Sequence, residues 1–240
     1  MNIVQVSAEL APWSKTGGLG DVCGALPQAL VARGHKVLAI APRYKDYPDA
    51  WDTGVRARIH LFGHTHEVAY FHLETGGVHH LFVDHPSFRR PGIYGDERGV
   101  YGDNLFRFAL LTRAALEAPL RVPLDGELLG EDVVFHANDW HTGLLPLFLE
   151  AVYRSAGRYL KTPAVLAIHN AGHHGTFDAH EFAGLDVSTR WWAAADMAGR
   201  LSCLKAGLVL ASKLVTVSPT YARQLCQDQA FGLEGLFAHR

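Results

Sequence analysis

Ile3-Val4-Gln5-Val6-Ser7-Ala8, leading into Lys15-Thr16-Gly17-Gly18-Leu19-Gly20-Asp21, sets the architecture of the chain. A short, nearly unbroken apolar run reads as a strand covered on both faces, which belongs to a parallel sheet. A glycine-rich segment behind it, followed by helical periodicity from about Asp21 to Arg33, reads as a strand–loop–helix unit. Gly34 marks the helix end, and Pro27 inside it implies either a kink or two short pieces. The same rhythm recurs outward from this unit. Lys36–Ala41, Val133–His136, Ala164–His169 and Leu214–Ser218 are further strand-like runs. Helical patterns occupy 104–118, 141–156 and 201–211. Such alternation predicts an α/β domain, a Rossmann-like doubly wound parallel sheet with right-handed crossovers. Residues 54–84 break the rhythm with Val55–Leu61, His66–Leu73 and Val78–Val83, and Thr75-Gly76-Gly77 between the last two signals an antiparallel hairpin excursion. No linker divides the chain, so residues 1–240 are expected to form one domain.

Composition narrows the function. The chain has 240 residues, 48% hydrophobic and 19% charged, which excludes disorder as the main state. Twenty-two basic residues face 24 acidic ones, a net charge of −2, so neither nucleic acid nor an anionic membrane surface is an expected partner. No apolar run approaches the roughly 18–20 residues of a membrane span. Cys23, Cys203 and Cys226 form no CxxC spacing and read as small buried apolar side chains in a reducing compartment. The N-terminal run shows no signal or transit pattern, and a cytoplasmic location is expected. There are fifteen histidines, but adjacent His173 and His174 without an HExxH or a cysteine partner do not suggest a metal, and no metal or cofactor is expected.

Three motifs sit where parallel strands end, the edge at which α/β sheets bind ligands. In the first, Gly17 and Gly18 let an anion approach the backbone, the following helix start aims N–H groups outward, and Lys15 adds a mobile charge. Together they read as a diphosphate cradle; the alternative is a turn that needs glycine for positive φ. In the second, His136-Ala137-Asn138-Asp139-Trp140-His141 gathers groups suited to sugar hydroxyls and one apolar ring face, although Asp139 alone also suits a helix cap. The third, His169-Asn170-Ala171-Gly172-His173-His174-Gly175, places His169 and Asn170 at the end of an apolar strand. Tyr94, Tyr101 and Asn104 in a glycine-rich loop suit a sugar acceptor as well as ordinary packing. The loop at residues 15–21 matches neither GxGxxG nor the P-loop, which weakens a dehydrogenase reading, and no GxSxG supports a nucleophilic serine.

The chain resembles the N-terminal domain of bacterial glycogen synthases and plant starch synthases. The likeness rests on Ser7-Ala8-Glu9 with Pro12, Lys15 to Asp21, Gly24-Ala25-Leu26-Pro27, Pro42-Arg43-Tyr44, Asn104 with Arg107-Phe108, and Asn138-Asp139-Trp140-His141-Thr142. Ile168-His169-Asn170, Leu204-Lys205-Ala206-Gly207, Val217 to Ala222 and Gly232 to Leu236 follow in order. Residues 46–53 and 130–135 look closer to the plant granule-bound type.

The resemblance implies one half of a GT-B fold and an ADP-glucose-dependent retaining glucosyltransferase, which adds glucose to the non-reducing end of an α-1,4-glucan. UDP-glucose is an open alternative donor. By position, Lys15 matches a donor-diphosphate lysine, with Gly17 and Gly18 lining the loop. His169 and Asp139 match residues beside the transferred glucose, and Asn170 supports that corner. Glu9 and Tyr94 fall on the acceptor side. His173-His174 stands where the family usually has Tyr-Gln, and Ser212 where aspartate is common. The chain stops at Arg240, near the end of the family's first domain, and the nucleotide-binding second domain is absent from it. The isolated chain is therefore expected to be inactive, its other half lying in a longer protein or on a separate partner chain. The competing reading is a non-catalytic glucan- or nucleotide-sugar-binding module.

Overall fold

The computed structural model describes residues 1–239. Eight strands build the main sheet: β1 (Asn2–Val6), β2 (Lys36–Pro42), β3 (Trp51–Leu61), β4 (His64–Thr75), β5 (Val78–Asp84), β6 (Val134–Asn138), β7 (Ala164–Ile168) and β8 (Lys213–Thr216). Their order is β8-β7-β6-β1-β2-β5-β4-β3. The strands from β8 to β5 in that order run parallel, β4 returns antiparallel to β5, and β3 pairs antiparallel with β4, as the expected excursion. Gly76 and Gly77 turn the β4–β5 hairpin with φ of 60° and 76°, values that glycine adopts freely. The register places Val6 beside Ile40 and Ala137, Asn138 beside Ala167, and Ile168 beside Thr216. The carboxyl ends of β1, β6, β7 and β8 therefore finish along one edge.

Side chains alternate between two cores. Val4, Val6, Leu38 and Ile40 pack on one face under α2 (Asn104–Arg121), whose Leu105, Phe108, Leu111 and Ala115 are buried. Val37, Ala39 and Phe82 point the other way, against Leu10 and Cys23 of the α1 side. Helix α1 (Gly18–Val31) runs through Pro27 without dividing, and Gly34 at φ 81° follows its end.

Three expectations need correction. Residues 200–202 form a strand in a small antiparallel sheet with Thr176–Asp178 and Asp196–Met197, so the helix there is α3 (Cys203–Leu210) alone. Ser202 caps it, its Oγ accepting from Lys205 N at 3.1 Å. Residues 141–156 are not one helix: a 3₁₀ turn at Trp140–Thr142 leads to an α turn at Leu145–Phe148 and a π turn at Leu149–Tyr153, with Pro146 at the start of the α turn. Cys226 is exposed, unlike Cys23 and Cys203.

His80 and His141 are buried, and His136 is largely covered. Burial holds His80 down at about 4, His136 at about 4 and His141 at about 3. Neither ring nitrogen of His80 has a hydrogen-bond partner. An unfolded chain takes up a proton on histidine near pH 6.5, so between that value and the folded values the unfolded state binds more protons. The stability these neutral rings carry is full above pH 6.5 or so and is lost as pH falls, by about 1–2 kcal/mol for each ring at about pH 5. Melting temperature should therefore drop steadily from roughly pH 7.5 to pH 5, and the His80→Phe variant should flatten that slope. A melting curve indifferent to pH over this range would contradict the burial argument.

Candidate active site

A cavity of about 910 Å³ opens at the carboxyl edge of the sheet. It is built mainly from the loops that follow β1, β6 and β7 and from the loop that precedes α2, with Val217 after β8 at its rim.

The loop after β1 is held from beneath by Glu9, which is 2% exposed. Its Oε2 accepts from Thr16 N at 2.7 Å and Gly17 N at 3.3 Å, and its Oε1 accepts from Thr16 Oγ1 at 2.7 Å and Tyr94 Oη at 2.6 Å. Four donors on one carboxylate lock the glycine loop to Tyr94. Gly17 is extended, with φ −157°, and caps the N-terminus of α1. Neither Gly17 nor Gly18 is among the glycines with positive φ, and a Cβ on either would meet nothing within 4 Å. Backbone conformation thus does not require glycine there. What glycine leaves is open approach to the first N–H groups of a helix of 14 residues, where the helix dipole favours an anion. Lys15 stands beside the cavity rather than in its lining, and its Nζ pairs with Asp21 Oδ2 at 2.7 Å. Both side chains are about half exposed, so the pair is worth at most about 1 kcal/mol and a multiply charged anion can displace it.

The loop after β6 carries Asp139. Its backbone sits at φ 56°, ψ −172°, a region that non-glycine residues occupy only when held there. The helix-cap alternative is not realised, because the side chain makes no cap bond. Instead Oδ1 crosses to the end of β7 and accepts from His169 N at 2.7 Å and Asn170 N at 3.2 Å. Burial pushes the Asp139 carboxyl above its usual range, partly offset by His169 and by these two donors. Burial likewise lowers His169, offset by the Asp139 charge. Asn170 Oδ1 accepts from Gly172 N at 2.9 Å, a local turn that shapes the loop after β7.

Aromatic rings line the facing wall. Tyr94 stacks on His141 with ring centroids 4.8 Å apart, and His141 lies 4.2 Å from the Trp140 ring. Gly175 passes so close to Trp140 that a Cβ there would come within 2.1 Å of the indole. Burial drives the Tyr94 hydroxyl well above its ordinary range, which keeps it a neutral donor to Glu9. Asn104 Nδ2 and Tyr101 N both donate to Tyr94 O, at 2.9 Å and 3.0 Å, and so fix the loop that presents the ring.

Thus Gly17, Gly18, Glu9, Tyr94, Asp139, His169 and Asn170 share one cavity, with Lys15 at its margin. Two of the polar members of the second motif do not face it. Asn138 is fully buried, and His136 is largely covered beneath it. The alternation along β6, with Ala137 on the opposite face, was the available signal.

A parallel sheet whose edge joins an anion-ready helix start to buried polar groups and ring faces is a Rossmann-like domain of the kind found in GT-B folds. The chain belongs to the starch synthase catalytic domain family, which matches residues 2–239. Soluble starch synthase 1 of Solanum tuberosum is 44% identical over 261 residues, covering 100% of this chain and 41% of that protein. Granule-bound starch synthase 1 of Triticum aestivum is 42% identical over 267 residues, covering 98% and 43%. The solved catalytic domain of starch synthase IV from Arabidopsis thaliana, bound to ADP and acarbose, superposes with a TM-score of 0.84 at 26% identity, over 99% of this chain and 49% of that one. The chain thus spans about two-fifths of the length of these curated relatives. Both relatives are chloroplastic/amyloplastic, which points to a plastid and overturns the expected cytoplasmic location. A compartment is written in targeting segments rather than in a folded domain, so the body of the chain carried no such signal. Among the described residues no helix is long and apolar enough to cross a membrane.

Proposed function

We propose that this chain forms the acceptor-side half of a synthase that moves glucose from ADP-glucose to the non-reducing end of an α-1,4-glucan, with retention. The observation that carries the reading is the single cavity shared by the α1 N-terminus, Asp139 and His169, and the Tyr94–His141–Trp140 rings. The Gly18 N–H and those that follow it at the start of α1 receive the donor's diphosphate across the open Gly17–Gly18 loop, and Lys15 exchanges Asp21 for it. Cleaving the glucosyl–phosphate bond leaves charge on that diphosphate, and donors already aimed at it lower the barrier. Asp139 and His169 flank the glucose, Asn170 shapes their loop, and the ring faces take the glucan. Glu9 acts here chiefly by holding the glycine loop and Tyr94 in register. ADP in the starch synthase IV complex supports the adenine nucleotide over UDP-glucose.

In this reading residues 1–240 are one wall of a two-walled cleft. A second domain, in the same protein or on a separate chain, closes it, excludes water and binds the base. The test is transfer of labelled glucose from ADP-glucose to maltoheptaose, with the product linkage read by NMR. The protein that contains both halves should elongate with α-1,4 linkages, and the 240-residue chain alone should not. Robust elongation by this chain alone, or hydrolysis without elongation by the two-domain protein, would overturn the proposal. In that protein Lys15→Ala should lower turnover roughly tenfold to a hundredfold, since charge-assisted hydrogen bonds are worth about 1.5–3 kcal/mol. A loss below about threefold would remove Lys15 from the donor site.

A further inference from the structure

Asn138 lies behind the cavity, fully buried at the last position of β6. Its Nδ2 donates to Val6 O at 3.0 Å and to His136 O at 3.2 Å. Two carbonyls can be satisfied only by the NH₂ end of the amide, which orients Oδ1 the other way. Oδ1 then meets His169 Nε2 at 3.0 Å. An amide oxygen offers no proton, so the imidazole must supply it. From this geometry we infer that Asn138 is a positioning residue that fixes His169 as the neutral Nε2–H tautomer, so that Nδ1 presents a lone pair to a sugar hydroxyl in the cleft.

Supporting groups close around the ring. Thr142 Oγ1 accepts from Asn138 N at 2.6 Å and donates to Asn138 O at 2.9 Å, which pins the residue at both backbone groups. Asp139 takes the backbone N–H of His169, so neighbouring residues of β6 and its loop hold the main chain and the ring separately. Among the described residues Nδ1 has no hydrogen-bond partner and is not one of the buried unpaired atoms. The titratable groups facing the ring are Asp139 and His136 from the β6 side and His173 on its own loop, while the Tyr221 hydroxyl reaches the same loop at Ala171 N, 2.9 Å. Asp139 favours a charged ring; burial opposes it. A ring kept neutral accepts one hydrogen bond from the ligand, whereas a protonated ring would only donate.

The inference names a role within the site proposed above, but the tautomer can be tested without any substrate. Nitrogen-15 NMR on the histidine-labelled chain, with His169 assigned by its loss in His169→Gln, reads which ring nitrogen carries the proton. The expected result is Nε2–H through neutral pH. Asn138→Asp should raise the titration midpoint of His169 by one unit or more, because a carboxylate in the same place favours the cation. Asn138→Leu, if folded, should let both tautomers appear. An Nδ1–H ring in the unsubstituted chain, which needs no variant to fold, overturns the inference, as does an unmoved midpoint in Asn138→Asp. In the two-domain protein Asn138→Asp should lower turnover about tenfold and displace the pH profile upward by the same interval. If the NMR result holds and glucosyl transfer is absent, the positioning role stands and the reading of the site falls.

Discussion

Asp139→Ala should reduce glucosyl transfer by roughly a hundredfold to a thousandfold in the two-domain protein. Two backbone donors, His169 N and Asn170 N, lose their shared acceptor at 2.7 Å and 3.2 Å. Each such loss is worth about 1.5–3 kcal/mol when the acceptor is charged, and about 1.4 kcal/mol is a factor of ten in rate. The loop after β7 is then free to drift away from the glucose. Alanine must also hold φ 56° without the interactions that keep aspartate there, so part of the effect should appear as lost stability. Asp139→Asn separates the two contributions. It retains an oxygen for the N–H groups while removing the charge, so its melting temperature should stay near that of the parent while turnover still falls about tenfold. Transfer by Asp139→Ala within about threefold of the parent would show that the carboxylate has no part in the reaction.

Gly175→Ala is expected to cause the largest structural loss of any single methyl addition at the cavity. The new Cβ would lie 2.1 Å from Trp140 Cε3, and the backbone there has φ 58°. Overpacking costs about 1–3 kcal/mol, and the left-handed backbone adds roughly 1 more. At this chain length each kcal/mol moves melting by about 2–4 °C, so a fall of roughly 5–15 °C should follow. The indole cannot yield without disturbing His141, which it meets at 4.2 Å, and through it Tyr94. Glucan affinity should therefore weaken more than ADP-glucose affinity. Calorimetry and paired titrations with maltoheptaose and ADP-glucose check both statements. Equal melting temperatures would show that the rings rearrange at no cost.

What was legible in the sequence was whatever had a short-range cause. The β1 run, the glycine loop and α1 follow from apolar continuity and a helix start, and the β4–β5 hairpin from Gly76-Gly77. The strand-end loops, and hence the shared cavity, follow from the parallel topology. Contacts between distant residues were not legible. The resemblance puts Glu9 on the acceptor side, but nothing local shows that its carboxylate is engaged by Thr16, Gly17 and Tyr94, the last of them far along the chain. Asn138 looked like a sugar ligand because polarity marks a residue without saying which face of a strand carries it. The turns around Trp140–Tyr153 and the small sheet at 176–202 escaped because short, irregular elements have too few residues to display a period. Lys15 stands next to the glycine loop, as its place in the motif requires, but the pairing of its ammonium with Asp21 depends on side-chain reach and could not be read.

The far border of the sheet bears on how copies of this protein coexist. β3 is eleven residues long with one flank unpaired, a ready template for another chain's strand. Arg56, Arg58 and His60 stand exposed at alternate positions, while Ala57, Ile59 and Leu61 turn inward. Arg56 is paired with Asp52 at 2.6 Å, so a second such margin laid alongside would meet chiefly the charge of Arg58, an opposing cation at the very place where fibrous stacking would begin.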